Sequence, residues 1–166
     1  MSTAVLSVGS NVGDRLGYLQ GCVTGLGSVV QGMSAVYETV PWGGVEQEEF
    51  LNAVLLVADP DADAREWLRR GQRCEAAAQR TRTQRWGPRT LDVDVIDVDQ
   101  TAQEHPWLSL PHPRAHLRAF VLVPWLEVAP EAVLPGHGPV AELVAALPVA
   151  EQRSVQRRDD LSLGLP

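Results

Sequence analysis

A short apolar run at residues 4–8 closes on Gly9, Ser10 and Asn11, which predicts a strand running into a turn. Leu16, Leu19, Val23 and Leu26 then recur at helical spacing. Gly17, Gly21, Gly25 and Gly27 dilute the propensity of that helix. A second strand is predicted over residues 34–40. Pro41, Trp42, Gly43 and Gly44 break it and open a loop to about residue 49. Residues 51–58 predict a third strand, stopped by Asp59 and Pro60. A helix over 63–78 puts Ala64, Trp67, Leu68 and Cys74 on its inner face. A polar, arginine-rich loop covers 79–89, and a fourth strand covers 91–98. Two further helices are expected at 117–128, with Pro124 inside, and at 140–147. The polar tail after Pro148 is expected to be loose.

The order is β-α-β-β-α-β, the ferredoxin-like pattern of an α+β protein. It implies an antiparallel sheet with helices on one face, here with a C-terminal helical extension. At 166 residues the whole chain, 1–166, is expected to be a single domain. No apolar run approaches the ~20 residues a membrane helix needs. The first residues have no basic segment of the signal-peptide kind, so a cytoplasmic protein is expected, with no membrane partner. Cys22 and Cys74 have no metal-ligand spacing and are expected to be buried thiols in a reduced compartment. Such a fold serves many functions, so function has to be read from the residues of a site.

Charge narrows the classes. The net charge is -7, which argues against a nucleic-acid partner. A sheet-face RNA binder would also need a basic surface with aromatic residues at alternate strand positions. The 14 basic residues are all arginine, which excludes a Schiff-base lysine and a phosphate-loop lysine. Eight of these arginines lie between Arg65 and Arg89, so an acidic chain concentrates its positive charge where a small anion could be held.

The segment Arg85-Trp86-Gly87-Pro88-Arg89-Thr90-Leu91-Asp92-Val93-Asp94-Val95 gives that anion a chemistry. Asp92 and Asp94, two apart on a strand, project from one face, while Leu91, Val93 and Val95 point into the core. Paired hard carboxylates suit Mg²⁺, which takes one or two of them together with substrate phosphates. Arg80, Arg82, Arg85 and Arg89 precede the pair, and forked guanidinium contacts neutralise polyphosphate. Asn52 sits beside Phe50 and Leu51, and Phe120 follows Arg118 and the Pro-rich run Leu110-Pro111-His112-Pro113-Arg114. Aromatic rings near an amide are how a flat heterocycle is stacked and read.

These segments together resemble the 6-hydroxymethyl-7,8-dihydropterin pyrophosphokinase family. The resemblance runs through Gly9-Ser10-Asn11, Tyr37-Glu38-Thr39 with Pro41, Phe50-Leu51-Asn52-Ala53, Gln72-Arg73-Cys74-Glu75, the long arginine–aspartate block, Leu110 to Arg114, and Arg118 to Leu122 leading to Ala129-Pro130. It implies an enzyme that moves pyrophosphate from ATP to a pterin alcohol in folate synthesis. By the same resemblance Asp92 and Asp94 would hold two Mg²⁺. Arg80, Arg89, His112 and Arg118 would contact phosphates, and Gln72, Glu75 and Val95 would serve the nucleotide. Asn52, with the backbone around Thr39 and Trp42, would read the pterin, and Phe50 and Phe120 would sandwich it. The substrates would be ATP and the pterin alcohol, and the chain a monomer.

Arg82, Arg85 and Trp86 would ride on a loop that closes over both substrates. Trypsin cleavage after Arg80, Arg82 or Arg85 should then slow strongly when an ATP analogue, Mg²⁺ and the pterin are all present. An unchanged rate would mean the loop is no lid. Three positions depart from the family: Gln79 where it often has Gly, Pro113 where some members have Tyr, and Phe50 where some have Tyr.

Overall fold

A computed structural model describes residues 2–40, 48–78 and 90–164. Its central sheet is built on strand β1 (Ser2–Ser10), which is flanked by β4 (Phe50–Asp59) and β5 (Asp92–Val98), both antiparallel to it. The predicted second strand is two pieces, β2 (Val30–Met33) and β3 (Tyr37–Thr39), and both pair with β4. Ser34 splits them. Its Oγ accepts the Val54 N–H at 2.9 Å, and its own N–H donates to the Val54 carbonyl at 2.9 Å, so pairing continues through a side chain.

Helices α1 (Arg15–Leu26) and α2 (Ala64–Ala77) cover one face of the sheet. Asp14 caps α1 by accepting the Gly17 N–H at 3.1 Å. A Cβ on Gly17 would collide with the Asp14 carboxylate, so the cap requires glycine there. Asp63 caps α2 through the Glu66 N–H at 2.8 Å. Ala64, Trp67, Gly71 and Glu75 form the buried stripe of α2, at helical spacing. Leu6, Val8, Ala53, Leu55, Val93 and Val95 meet the two helices from the sheet.

The C-terminal extension covers the opposite face. Helix α3 (Ala119–Val128) carries Pro124 as expected and packs Ala119, Leu122 and Trp125 on Val5, Val54 and Ile96. A hairpin of β6 (Gln103–His105) and β7 (Leu108–Leu110), which the sequence pattern did not reveal, precedes it. A second small ribbon, β8 (Val133–Leu134) with β9 (Gly138–Pro139), leads into α4 (Val140–Ala146).

Residues 149–157, expected to be loose, carry regular structure. They form α5 (Val149–Arg153) and β10 (Val155–Arg157), and β10 pairs antiparallel with β3 at the sheet edge. Leu163 returns to the helix-side core. Polar residues hide this strand from pattern reading, because an edge strand is held by backbone hydrogen bonds as much as by burial. Among the described residues no helix is long and apolar enough to cross a membrane.

Candidate active site

Antiparallel register brings the candidate residues onto one face. Gly9 of β1 lies opposite Asn52 of β4 on one side and opposite Asp92 of β5 on the other. Ser7 lies in the same way between Val54 and Asp94. Asn52 and Asp92 therefore share a cross-strand row with only Gly9 between them, about 10 Å apart at the usual strand spacing. Asp92 and Asp94 point from the same face, as expected, and both are half-buried.

Glycine at position 9 is required by what stands beside it. An added Cβ would lie 2.5 Å from Asn52 Nδ2 and 3.4 Å from the Phe50 ring. Thr39, only 2% exposed, donates its hydroxyl to Asn52 Oδ1 at 2.5 Å, which turns the amide so that Nδ2 lies over Gly9. The floor between the amide and the carboxylates is thus bare backbone. Gly9→Ala should push the Asn52 amide aside and weaken binding of the heterocycle at least ~10-fold, with little effect on ATP-analogue affinity. Calorimetry with each ligand separates the two, and an unchanged heterocycle affinity would show that the floor is not occupied.

A β-bulge ties the next loop to this face. The pairing of β1 with β5 passes from Val5–Asp97 to Leu6–Val95 and leaves Ile96 out. The Ile96 carbonyl accepts the His112 N–H at 2.8 Å, which fixes the 111–114 loop beside the aspartates. His112 Nδ1 accepts the Arg114 N–H at 3.2 Å, so in neutral imidazole the proton is on Nε2. Burial first, and then the charges of Arg118 and Arg114, push the His112 pKa down to about 4, against an opposing pull from Asp92. At neutral pH His112 is therefore an uncharged donor. Arg118, 5% exposed at the start of α3, holds its guanidinium 5.4 Å from the centroid of the Phe120 ring. Carboxylates, a neutral donor and guanidinium groups together are what a metal-bridged polyphosphate requires.

Other predicted residues fall as follows. Phe50 is next to the Asn52 row, and Phe120 lies in the first turn of α3, which packs on the same face of the sheet. The Val95 side chain is 2% exposed in the helix-side core, so only its backbone can serve a ligand. Gln72 is exposed on α2. Glu75 is buried, and its Oε2 accepts the Val93 N–H at 2.9 Å, between the two aspartates. Trp42, Arg80, Arg82, Arg85, Trp86 and Arg89 lie outside the described residues. Sequence reading gave no role to Gly9 as floor or to the Thr39 hydroxyl. The Gly9 role is visible only once register sets it between Asn52 and Asp92.

Residues 5–130 match the family described as 7,8-dihydro-6-hydroxymethylpterin-pyrophosphokinase. The chain belongs to this family. It is an enzyme, a pyrophosphokinase. Among similar curated proteins is the 2-amino-4-hydroxy-6-hydroxymethyldihydropteridine pyrophosphokinase of Mycobacterium tuberculosis, 53% identical over 94% of this chain and 89% of the relative. The Mycobacterium leprae protein of the same name is 49% identical over 99% of this chain and 93% of its own length. Among solved structures, a Plasmodium falciparum HPPK-DHPS with pteroate superimposes with a TM-score of 0.68 over 95% of this chain, at 13% identity. That likeness is one of fold alone, and this chain spans 47% of the Plasmodium chain.

Proposed function

We propose that this chain transfers pyrophosphate from ATP to the hydroxymethyl group of 6-hydroxymethyl-7,8-dihydropterin, releasing AMP, as a step in folate synthesis. The observation that carries the reading is the row Asn52–Gly9–Asp92: a heterocycle reader and a carboxylate pair on one sheet face, with a bare glycine between. A pterin edge hydrogen-bonded by Asn52 would lie over Gly9 and extend its hydroxymethyl group toward Asp92 and Asp94.

Asp92 and Asp94 fit Mg²⁺. They are hard oxygen donors two residues apart on one face of β5. A two-carboxylate set leaves the other positions to phosphate and water. In this reading the pair holds two Mg²⁺, which when bound neutralise phosphate charge and make the hydroxymethyl oxygen a better nucleophile. His112 donates its Nε2–H to a phosphate oxygen, and Arg118 neutralises another. Phe50 and Phe120 stack the ring, and Thr39 keeps Asn52 oriented. Glu75 keeps β5 in place from the helix side. Arg80, Arg82, Arg85, Trp86 and Arg89 close over ATP, with Gln72 and the Val95 backbone at its edge and Trp42 at the pterin. The attacking oxygen forms its bond to the β-phosphorus as the bond to the α-phosphate oxygen breaks and AMP departs. Positioning and charge neutralisation supply most of such a transfer, so no strong general base is required. The enzyme acts in this account as a cytoplasmic monomer.

Calorimetry tests the ligand classes. A non-hydrolysable ATP analogue with Mg²⁺ and the pterin alcohol should each bind, and a short RNA should not. Binding of RNA with no response to the pterin would overturn the reading.

A further inference from the structure

The two thiols lie away from the sheet face described above, where α1 packs on α2. Cys22 of α1 is 2% exposed, and Cys74 of α2 is partly exposed. The Cys74 thiol donates to the Cys22 carbonyl oxygen at 4.0 Å, and both cysteines line one cavity between the helices. The neighbouring Cys74 thiol, with burial, pushes the Cys22 pKa up, and the neighbouring Cys22 thiol pulls the Cys74 pKa down. Burial and Glu75 oppose the fall at Cys74, and Arg73 adds to it. Solvent reaches Cys74 and not Cys22, so Cys74 is the thiol that a small solute meets first.

A cavity of about 680 Å³ between the helices opens onto the pair, lined by Gly17, Gly21 and Gly25 of α1 and by Arg73, Cys74 and Ala77 of α2. The glycines keep it open. A Cβ on Gly21 would meet nothing within 4 Å, and one on Gly25 would meet only Cys74 Sγ, at 4.0 Å. An accessible thiol and a buried one on the wall of the same cavity are the arrangement of a redox-active pair.

We propose that Cys22 and Cys74 are an oxidisable dithiol whose substrate is a small hydroperoxide, and that closing their disulfide slows pyrophosphate transfer. The Cys74 thiolate attacks one peroxide oxygen, the O–O bond breaks, and the leaving oxygen takes a proton to become water or an alcohol. The Cys22 thiol then attacks the sulfur of the Cys74 sulfenic acid. The S–O bond breaks, the hydroxyl leaves as water with the Cys22 proton, and a disulfide remains. Two thiols are oxidised, one peroxide is reduced, and a dithiol reductant reverses the change.

The link to transfer is short. Cys74 precedes Glu75, whose carboxylate holds the Val93 N–H between Asp92 and Asp94. Gly71, one turn earlier, already packs so closely that a Cβ there would be 3.0 Å from Val93. Joining the sulfurs covalently draws α2 toward α1 and moves Glu75 with it. A shift of about 1 Å at supporting residues can cost up to ~10²-fold in rate.

The test treats the folded wild-type protein with hydrogen peroxide at neutral pH and blocks residual thiols before mass spectrometry. A monomer two hydrogens lighter, unblocked, with Cys22 and Cys74 peptides linked and restored by dithiothreitol, is expected. The Cys22→Ser variant should trap a dimedone adduct on Cys74, and Cys74→Ser should slow oxidation of Cys22 at least ~10-fold. Two blocked thiols after peroxide, a disulfide between two chains, or Cys22 oxidising at the wild-type rate in Cys74→Ser would overturn the dithiol. The oxidised protein should transfer pyrophosphate at least ~5-fold more slowly and recover on reduction. An undiminished rate would overturn the control of activity. This last readout rests on the proposed transfer reaction. If the reduced protein shows no transfer at all, it is that reaction which fails, and the mass measurement still decides the dithiol.

Discussion

Asp92→Asn or Asp94→Asn is expected to cut pyrophosphate transfer by at least ~10²-fold, because metal electrostatics is usually a large part of such catalysis. The two carboxylates are half-buried on the face of β5 opposite Val93 and Val95, which pack in the core beneath α1 and α2. An amide replaces a carboxylate with almost no change of shape, and removing one of two like charges relieves their repulsion. The folded state should therefore survive either change. AMP release under saturating substrates, with a thermal melt of each variant, separates catalysis from stability. A variant that melts normally and turns over normally would show that the pair does not hold the metal.

Asn52→Ala carries the second large effect, on pterin affinity alone. Removing a buried group that hydrogen-bonds a ligand costs about 1–3 kcal/mol, or roughly 5-fold to more than 10²-fold in Kd. ATP-analogue affinity should barely change, since Asn52 stands about two strand spacings from Asp92, roughly 10 Å. Thr39 supplies the control. Its hydroxyl is bonded to Asn52 Oδ1, so Thr39→Val leaves the amide in place but releases its orientation. The Thr39→Val loss should be in the same direction and smaller. Equal losses for both ligands in Asn52→Ala would make Asn52 a structural residue.

Much of this was legible in the chain. The alternation of Leu91, Val93 and Val95 with Asp92 and Asp94 fixes which way the carboxylates face, and the register confirms it. The stripe on α2 was legible for Ala64 and Trp67. Gly71 and Glu75 were not expected inside, because a glycine and a carboxylate carry no hydrophobic signal. β10 escaped notice for a related reason: Val155, Gln156 and Arg157 are held to β3 by backbone pairing that leaves no periodic trace. The roles of Gly9 and Thr39 depend on what register sets beside them, and local spacing holds no information about partners more than 40 residues away in the case of Gly9 and Asn52. The His112 loop was readable as Pro-rich, but its anchoring through the Ile96 bulge was not, since nothing in a run of apolar residues marks which one will leave the ladder.

Pyrophosphate transfer differs from phosphoryl transfer in one nucleotide product, AMP in place of ADP. Purified protein is mixed with ATP, Mg²⁺ and 6-hydroxymethyl-7,8-dihydropterin, and nucleotide products are separated by anion exchange. AMP and the pterin diphosphate are expected in equal amounts, both dependent on the pterin. ADP with a pterin monophosphate, or no nucleotide turnover when the pterin is added, would contradict pyrophosphate transfer.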